Sequence, residues 1–370
     1  MKVVFDARYT RIDHHDGISR YTANLLEELA RLHPVTMLIS DHRQLDMLPD
    51  LPWQLVSSPT SAAEPFVARA VNKLRPDIVF TPMQTMGSWG RRYALLLTVH
   101  DLIYYRNRTP PRDLPAAVRG LWRLYHLAWW PQRMLLNRAD GVVTVSNTTA
   151  ALIAEHALTT KPVTVVSNAA APLPGADEAA ARLRPERRRL VYMGSYMPYK
   201  NVETLVRAVD QLPGTELHLM SRVSEADRTR LQKLAPGAAL VFHDGATDAE
   251  YAQTLRSATA LVTASRDEGF GIPLVEAMSV GTPVVVSDIP IFREIGGDAA
   301  LYFDVDSPQA LVAALTRLES PGEWERRSAL ALDRAATFTW ASSARRLLSL
   351  LEETVARRTV RQARRAGTRP

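Results

Sequence analysis

The chain has 370 residues, 46% of them apolar and 23% charged, with no cysteine and a formal net charge of +6. This length allows two domains with a core in each, and the missing cysteines exclude disulfides, thiolate metal sites and cysteine nucleophiles. No window offers the ~18 uninterrupted apolar residues of a membrane span, and the start, MKVVFDARYT, is charged too early for a signal peptide, so a soluble, cytoplasmic protein is expected.

From the N-terminus, strands alternate with helices. Lys2–Asp6 reads as a short strand, Ile18–Leu32 as a helix with Leu25, Leu26, Leu29 and Leu32 on one face, and Val35–Ile39 as a strand. Phe66–Leu74 reads as a helix, Asp77–Phe80 as a strand leaving through Thr81-Pro82, and Ala94–His100 as a buried strand. Leu114–Asn137 is a long helical stretch with a break expected at Pro131, and Gly141–Val145 is another strand. This alternation implies right-handed crossovers and a parallel sheet.

Asn168–Arg189, rich in alanine, proline and charge, interrupts the pattern and suits a linker. A second series follows: LVYMG, a helix at Val202–Leu212, ELHLM, a helix at Arg228–Leu234, ALVF, a helix at Ala249–Ala258, ALVTAS, a helix from about Pro273, PVVVS and ALYFD. A last helix, Trp340 to about Arg358, has apolar spacing and is expected to return to the first domain. The fold class is therefore α/β, with two Rossmann-like domains facing across a cleft: 1–170, a linker at 171–189, 190–340, and a crossover helix with a basic tail at 341–370. In such sheets ligands bind outside the carboxyl ends of the strands.

The stretch DEGFGIPLVEAMSVGTPVV, from Asp267 to Val285, reads as a glycine turn opening a helix. Gly269 and Gly271 permit a tight turn and close approach of a ligand, and amides at a helix start suit an anion such as a diphosphate. Glu268, in the glycine-rich turn, and Glu276, which alone is expected in the first helical turn, add strong acceptors for hydroxyl donors. Phosphate and sugar hydroxyls together describe a nucleotide sugar. The plainer reading is that both glutamates favour the helix dipole and face water.

The E-x7-E pattern followed by AMSVGTPVV resembles the retaining glycosyltransferases of family four, which have the glycosyltransferase-B fold. GIS at Gly17, TVHDLIYY at Thr98–Tyr105, VTVSNTTA at Val143–Ala150, VVSNA at Val165–Ala169, YMGSYMPYKN at Tyr192–Asn201 and REIGGDAALYF at Arg293–Phe303 extend the likeness over nearly the whole chain, thinning after Trp340. The resemblance implies that Glu276 holds ribose hydroxyls and that Glu268 faces the transferred sugar. It implies that the amides of Gly269, Phe270, Gly271 and Ile272 cradle donor sugar and phosphate, and that Lys200, after Gly194 in the same segment, neutralises the diphosphate. Gly17 would approach the phosphate from the first domain, and His100 would contact the donor hexose. The family usually adds an arginine at what are here Ser195 or Tyr199, so Arg222 is the candidate replacement, although Ser221 stands where the family often has glycine. No metal and no cofactor beyond the donor are implied, and adjacent His14 and His15 make a poor ligand pair. The PYKN variant resembles mannosyl- and rhamnosyl-type members, so GDP-mannose comes first as donor and a UDP-sugar second, with a glycan or glycolipid as acceptor. Rival readings are a sugar-nucleotide epimerase, which is not expected to carry the E-x7-E, and a non-catalytic nucleotide-sugar-binding protein on the same scaffold. A dehydrogenase lacks its GxGxxG here.

Charge is uneven. Arg357, Arg358, Arg361, Arg364, Arg365 and Arg369 crowd the tail without an acid, either as a solvated end or as a contact for anionic lipid. Arg106–Arg138 mixes arginines with Trp122, Trp129 and Trp130 around a single acid, Asp113. Core burial of most of the tryptophans and of Leu121, Leu124, Leu127 and Leu135 is the expectation, and docking on the inner membrane face is the alternative. Nucleic acid is not an expected partner, since no aromatic-basic recognition module accompanies the charge.

Overall fold

The computed structural model describes residues 1–110, 116–174 and 184–367. It divides into unit 1, Met1–Asn168 with Trp340–Pro370, and unit 2, Ala169–Thr339. Of the expected linker, residues 175–183 lie outside the described residues, as does Arg369 of the tail.

Unit 1 is built on strands β1 (Val3–Asp6), β2 (Val35–Ile39), β3 (Trp53–Leu55), β4 (Ile78–Thr81), β5 (Ala94–Val99), β6 (Gly141–Thr144) and β7 (Val163–Val165), joined by helices α1 (Gly17–Leu32), α2 (Val67–Val71), α3 (Ile103–Arg106), α4 (Ala116–Tyr125), α5 (Trp130–Asn137) and α6 (Asn147–Glu155). The strands lie in the order β3-β2-β1-β4-β5-β6-β7, all parallel. Such a sheet is covered on both faces, which is why β1 and β5 are nearly continuous apolar runs, interrupted by Asp6 and Thr98, and wholly buried. The order reverses direction between β1 and β4, which defines a topological switch point.

Unit 2 repeats the scheme with β8 (Arg188–Tyr192), α7 (Val202–Val209), β9 (Thr215–Leu219), α8 (Glu225–Leu234), β10 (Ala239–Phe242), α9 (Asp248–Arg256), β11 (Ala260–Thr263), α10 (Ile272–Ser279), β12 (Val284–Ser287), α11 (Pro290–Gly296), β13 (Leu301–Phe303), α12 (Pro308–Leu318) and α13 (Glu323–Ala335). Its order, β10-β9-β8-β11-β12-β13, is again parallel, with the switch point between β8 and β11. Trp324 of α13 is wholly buried, and its indole N–H donates to the Thr259 carbonyl at 2.8 Å, fastening α13 to the residue that leads into β11. The last helix, α14 (Trp340–Gly367), packs on α1 within unit 1, where Trp340 meets Tyr21 edge-on at 5.7 Å. It runs past the expected end at Arg358 because nothing from 359 to 367 breaks a helix.

Three sequence expectations are corrected. Leu32 is 45% exposed, because it closes α1 where the chain turns at His33-Pro34. The 114–137 stretch breaks before Pro131, between Tyr125 and Trp130, with the proline in the first turn of α5, where its missing N–H costs no bond. Leu124, Leu127 and Trp130 are 65, 56 and 64% exposed rather than in the core, while Trp129 is half-buried, stacked on Tyr105 at 4.0 Å and on His156 at 4.3 Å.

Candidate active site

At the unit 2 switch point two loops meet. After β8 the chain makes a 3-10 turn at Pro198–Lys200 and enters α7 through Asn201, a non-glycine residue at φ 50°. That conformation is held by the side chain: Asn201 Nδ2 donates to the Val305 carbonyl at 2.8 Å, and Thr204 Oγ1 donates to Asn201 Oδ1 at 3.1 Å. After β11 the Arg266 amide donates to the Tyr199 carbonyl at 2.8 Å and joins the two loops. This places Lys200 and Glu268, 68 positions apart, in contact: Nζ lies 2.7 Å from Oε1 and 2.6 Å from Oε2. Both side chains are mostly buried, at 13 and 16% exposure. The ammonium also lies 5.4 Å from the Tyr199 ring centre. Tyr192, buried beneath, has its phenol pKa pushed well up, by burial first and by the nearby Glu268 charge second, so it stays a neutral donor, bonding the Ser195 carbonyl at 2.7 Å.

Glu268 leads into Gly271, whose φ of 95° turns the chain into α10. A Cβ there would meet Phe292 at 3.1 Å, and the left-handed backbone would strain it further. Gly271 caps α10 without a side-chain bond; Pro273 has no N–H and the Leu274 amide donates to the Gly271 carbonyl at 3.0 Å, so Ile272 is the first-turn residue whose amide is open to a ligand. Phe270 is buried, edge-on to Phe338 at 5.6 Å; its ring is structural, leaving only its amide for a ligand. Glu276 is 6% exposed and is the fifth residue of α10, so it lies in the second turn rather than the first, one turn further along than the sequence reading had it.

Unit 1 offers a different arrangement. His100 follows β5, where Nε2 lies 2.7 Å from the Pro82 carbonyl. A carbonyl only accepts, so Nε2 carries the proton. Burial lowers the imidazole pKa, against a smaller opposing effect of that bond, which leaves Nδ1 unprotonated as an acceptor. The ring is set by Tyr21, edge-on at 4.9 Å. Gly17 opens α1, but the helix is already capped: Asp16 accepts from the Ser19 amide at 2.8 Å and from Arg11 Nε at 2.9 Å. Space in front of Gly17 is open, with no atom within 4 Å of a Cβ built there.

Two family models divide the chain between them. "Glycosyltransferase Family 4" matches residues 15–171 and "Glycosyl transferases group 1" matches residues 176–331. The chain is a family-four-like glycosyltransferase. Among curated relatives, this glycosyltransferase is 23% identical over 322 residues to the O-antigen chain mannosyltransferase RfbU of Salmonella typhimurium, covering 82% of this chain and 87% of that one. It is 29% identical over 284 residues to the MMP alpha-(1->4)-mannosyltransferase of Mycolicibacterium hassiacum, covering 72% of this chain and 66% of that one. Sucrose-phosphate synthase from Thermosynechococcus elongatus superposes with a TM-score of 0.72 at 21% identity, over 96% of this chain and 99% of the other. The fold is glycosyltransferase-B.

Within the glycosyltransferase, the structure brings Lys200, Glu268 and the Gly269–Ile272 turn to one place and leaves other expected residues less suited. The Gly194 amide donates to Ser221 Oγ at 3.1 Å, so it is spent within the chain. The glycine itself is needed because a Cβ would come within 2.7 Å of the Tyr192 hydroxyl. Arg222 lies after β9, exposed and resting on Gly245, with no carboxylate partner among the described residues. The residues that the sequence did not single out are Asn201, Thr204 and Arg266, which set the loops. A Pro-x-Lys-Asn turn signal was available for Asn201, whereas no local pattern announces the Arg266–Tyr199 bond. Among the described residues no group of three or more His, Asp or Glu could hold a metal ion.

Proposed function

We propose that the chain is a retaining transferase that moves a hexose, with mannose first, from a nucleoside-diphosphate sugar to a glycan or lipid-linked acceptor. The observation that carries this reading is the Lys200–Glu268 pair beside the uncapped, glycine-hinged start of α10. The ammonium has three donors, and at least one remains after Glu268 is served. That donor and the Ile272 amide at the positive end of α10 suit the diphosphate, where negative charge grows as the nucleotide departs. Glu268, held by Lys200, accepts from a hydroxyl of the transferred sugar, and Glu276 accepts from ribose. His100 Nδ1 is an acceptor for a hexose hydroxyl.

In the reaction the C1–O bond to the diphosphate breaks and a C1–O bond to the acceptor forms on the same face. The acceptor's proton passes to the departing phosphate oxygen. Lys200 and the Ile272 amide supply the charge that a divalent ion provides in other sites, so no metal is required and chelation should leave turnover unchanged. The naming of two relatives as mannosyltransferases supports GDP-mannose over a UDP-sugar.

The exposed Leu124, Leu127 and Trp130 beside Arg123 and Arg133 support a lipid-linked acceptor presented at an anionic membrane face. Co-sedimentation that does not respond to anionic lipid would remove this part of the reading.

A donor panel tests the whole: GDP-mannose, UDP-glucose, UDP-galactose, UDP-N-acetylglucosamine and dTDP-rhamnose, scored by thermal shift, nucleotide release and the anomeric configuration of the product. Stabilisation and release with GDP-mannose, lost in Glu276→Ala and giving an α product, is expected. Binding without release for every donor, with acceptor glycans and lipids present, would favour the non-catalytic reading.

A further inference from the structure

The arginines of the tail do not all point into solvent. Within unit 1, exposed Arg357 and Arg361 and half-buried Arg358 of α14 line an open pocket of about 450 Å³ together with Lys161, Thr160 and Asp140. Asp140 directly precedes β6, and Lys161 stands just before β7, so the cavity lies at the amino ends of these strands. His100 follows the carboxyl end of β5 in the same parallel sheet. The cavity is thus at the opposite end of the sheet from the candidate active site residues of unit 1.

Charge accounting shows what the cavity lacks. Asp140 is the one acid in its wall, and it is already taken by Arg91 at 2.6 Å, with Arg358 at 3.5 Å. Lys161, Arg357 and Arg361 have no carboxylate within ion-pair distance among the described residues; Arg357 makes only a 3.1 Å bond to Thr354 Oγ1. Positions 354, 357, 358 and 361 are spaced to share one face of a helix. Like charges on one helical face repel; burial first, and then neighbouring Arg91 and Arg361, lower the pKa of Arg358 against the pull of Asp140. A bound anion in this open pocket would relieve that repulsion while Arg357 and Arg361 stay exposed enough to receive it. Guanidinium groups match phosphate oxygens in bidentate geometry, and a lysine adds a point charge.

We propose that this cavity binds a phosphate-bearing anion, held by Arg357, Arg361 and Lys161, as a second site independent of the donor site. The phosphate could belong to a soluble phosphate ester or to a phospholipid headgroup, and the chemistry of recognition is shared.

The test uses the full chain in the Lys200→Ala background, so that anion binding at the donor site is suppressed, at about 0.15 M salt to screen diffuse attraction. Calorimetric titration with inorganic pyrophosphate is run beside co-sedimentation with phosphatidylcholine vesicles lacking or containing phosphatidylglycerol. Saturable pyrophosphate binding is expected, weakened by roughly tenfold or more in Arg357→Gln/Arg361→Gln, as the loss of two charge-assisted contacts implies. Without anion, that double variant should melt no lower than its parent, since it relieves repulsion. Binding to phosphatidylglycerol vesicles but not to pyrophosphate, lost in the double variant, would assign the headgroup as source. Equal binding by the double variant and its parent, or no binding in either arm, overturns the proposal. A failure of the donor panel leaves this result unaffected, because nothing here uses the transfer reaction.

Discussion

Each unit holds an ion pair near the switch point of its sheet, and the two differ in how much of the cation is left over. In unit 1, Arg8 follows β1 with its side chain fully buried. Its five N–H groups are matched by five bonds: Nε and Nη2 to Asp6 at 2.7 and 2.9 Å, Nη1 and Nη2 to Glu64 at 2.6 and 3.1 Å, and Nη1 to the Ser57 carbonyl at 2.9 Å. Burial opposes the charge, but Asp6 and Glu64 outweigh it and raise the guanidinium pKa. Glu64 also accepts from the Gly87 amide at 2.9 Å, so the cluster stitches three loops together and has nothing to offer a ligand. In unit 2, Lys200 faces one carboxylate, keeps a donor and stays partly open. Counting donors therefore separates an anchor from a site where burial and charge alone do not.

That contrast predicts crossed mutational effects, and these are the largest expected. Arg8→Ala strands two buried carboxylates and should cost about 3–5 kcal/mol, read by urea unfolding, with donor affinity of the remaining folded protein unchanged. Lys200→Ala should cost about 1–3 kcal/mol, the penalty of leaving Glu268 unsatisfied, while lowering turnover by about 10²–10³-fold, as the loss of a charge-stabilising donor does. A Lys200 variant that is unstable but turns over normally would reverse the two assignments.

The glycines extend the comparison at smaller scale. Gly271→Ala places a side chain at φ 95° and against Phe292, so a loss of about 1–2 kcal/mol is expected, with a raised KM for the donor because the Ile272 amide tilts. Gly17→Ala meets open space at an ordinary φ, so stability should hold or rise by up to ~1 kcal/mol. Weaker donor binding in a variant that is no less stable would then show that Gly17 is kept for the ligand. Unchanged donor affinity would assign it no part in binding, in keeping with the Asp16 cap that already occupies the helix start.

Much of this was legible in advance. Mostly apolar runs such as VVF before Asp6 and PVVVS marked the parallel strands because a doubly covered sheet needs no alternation, and the glycine turn at 269–271 was visible because a left-handed backbone selects glycine. What stayed hidden depended on distance along the chain. Lys200 and Glu268 each carried a family role, but their pairing is a tertiary contact made by a backbone bond between Arg266 and Tyr199. The Arg8 cluster was missed for the same reason, since Glu64 lies 56 positions away. Leu124 and Leu127 were misread because helical spacing marks an apolar face without saying whether anything covers it.

The smallest effect concerns pH, and it sharpens the contrast between a cationic unit 2 site and a neutral unit 1 site. His100 is held unprotonated by burial, so its folded pKa lies below the ordinary 6.5. As pH falls below 6.5 the unfolded imidazole takes up a proton that the folded one refuses. The unfolded state then binds more protons, and stability declines until the folded group titrates as well. His126 and His218 are lowered by burial in the same direction, so they share this acid-side decline. His100→Gln should therefore make the fall in stability below pH 6.5 shallower without abolishing it. The same substitution should flatten the acid limb of donor affinity, because protonation of Nδ1 removes the acceptor offered to the sugar. Denaturant midpoints and donor titrations from pH 5 to 7.5 read both. If the stability slope changes and the affinity profile does not, His100 is a buried structural histidine, and the acceptor in unit 1 must be sought elsewhere.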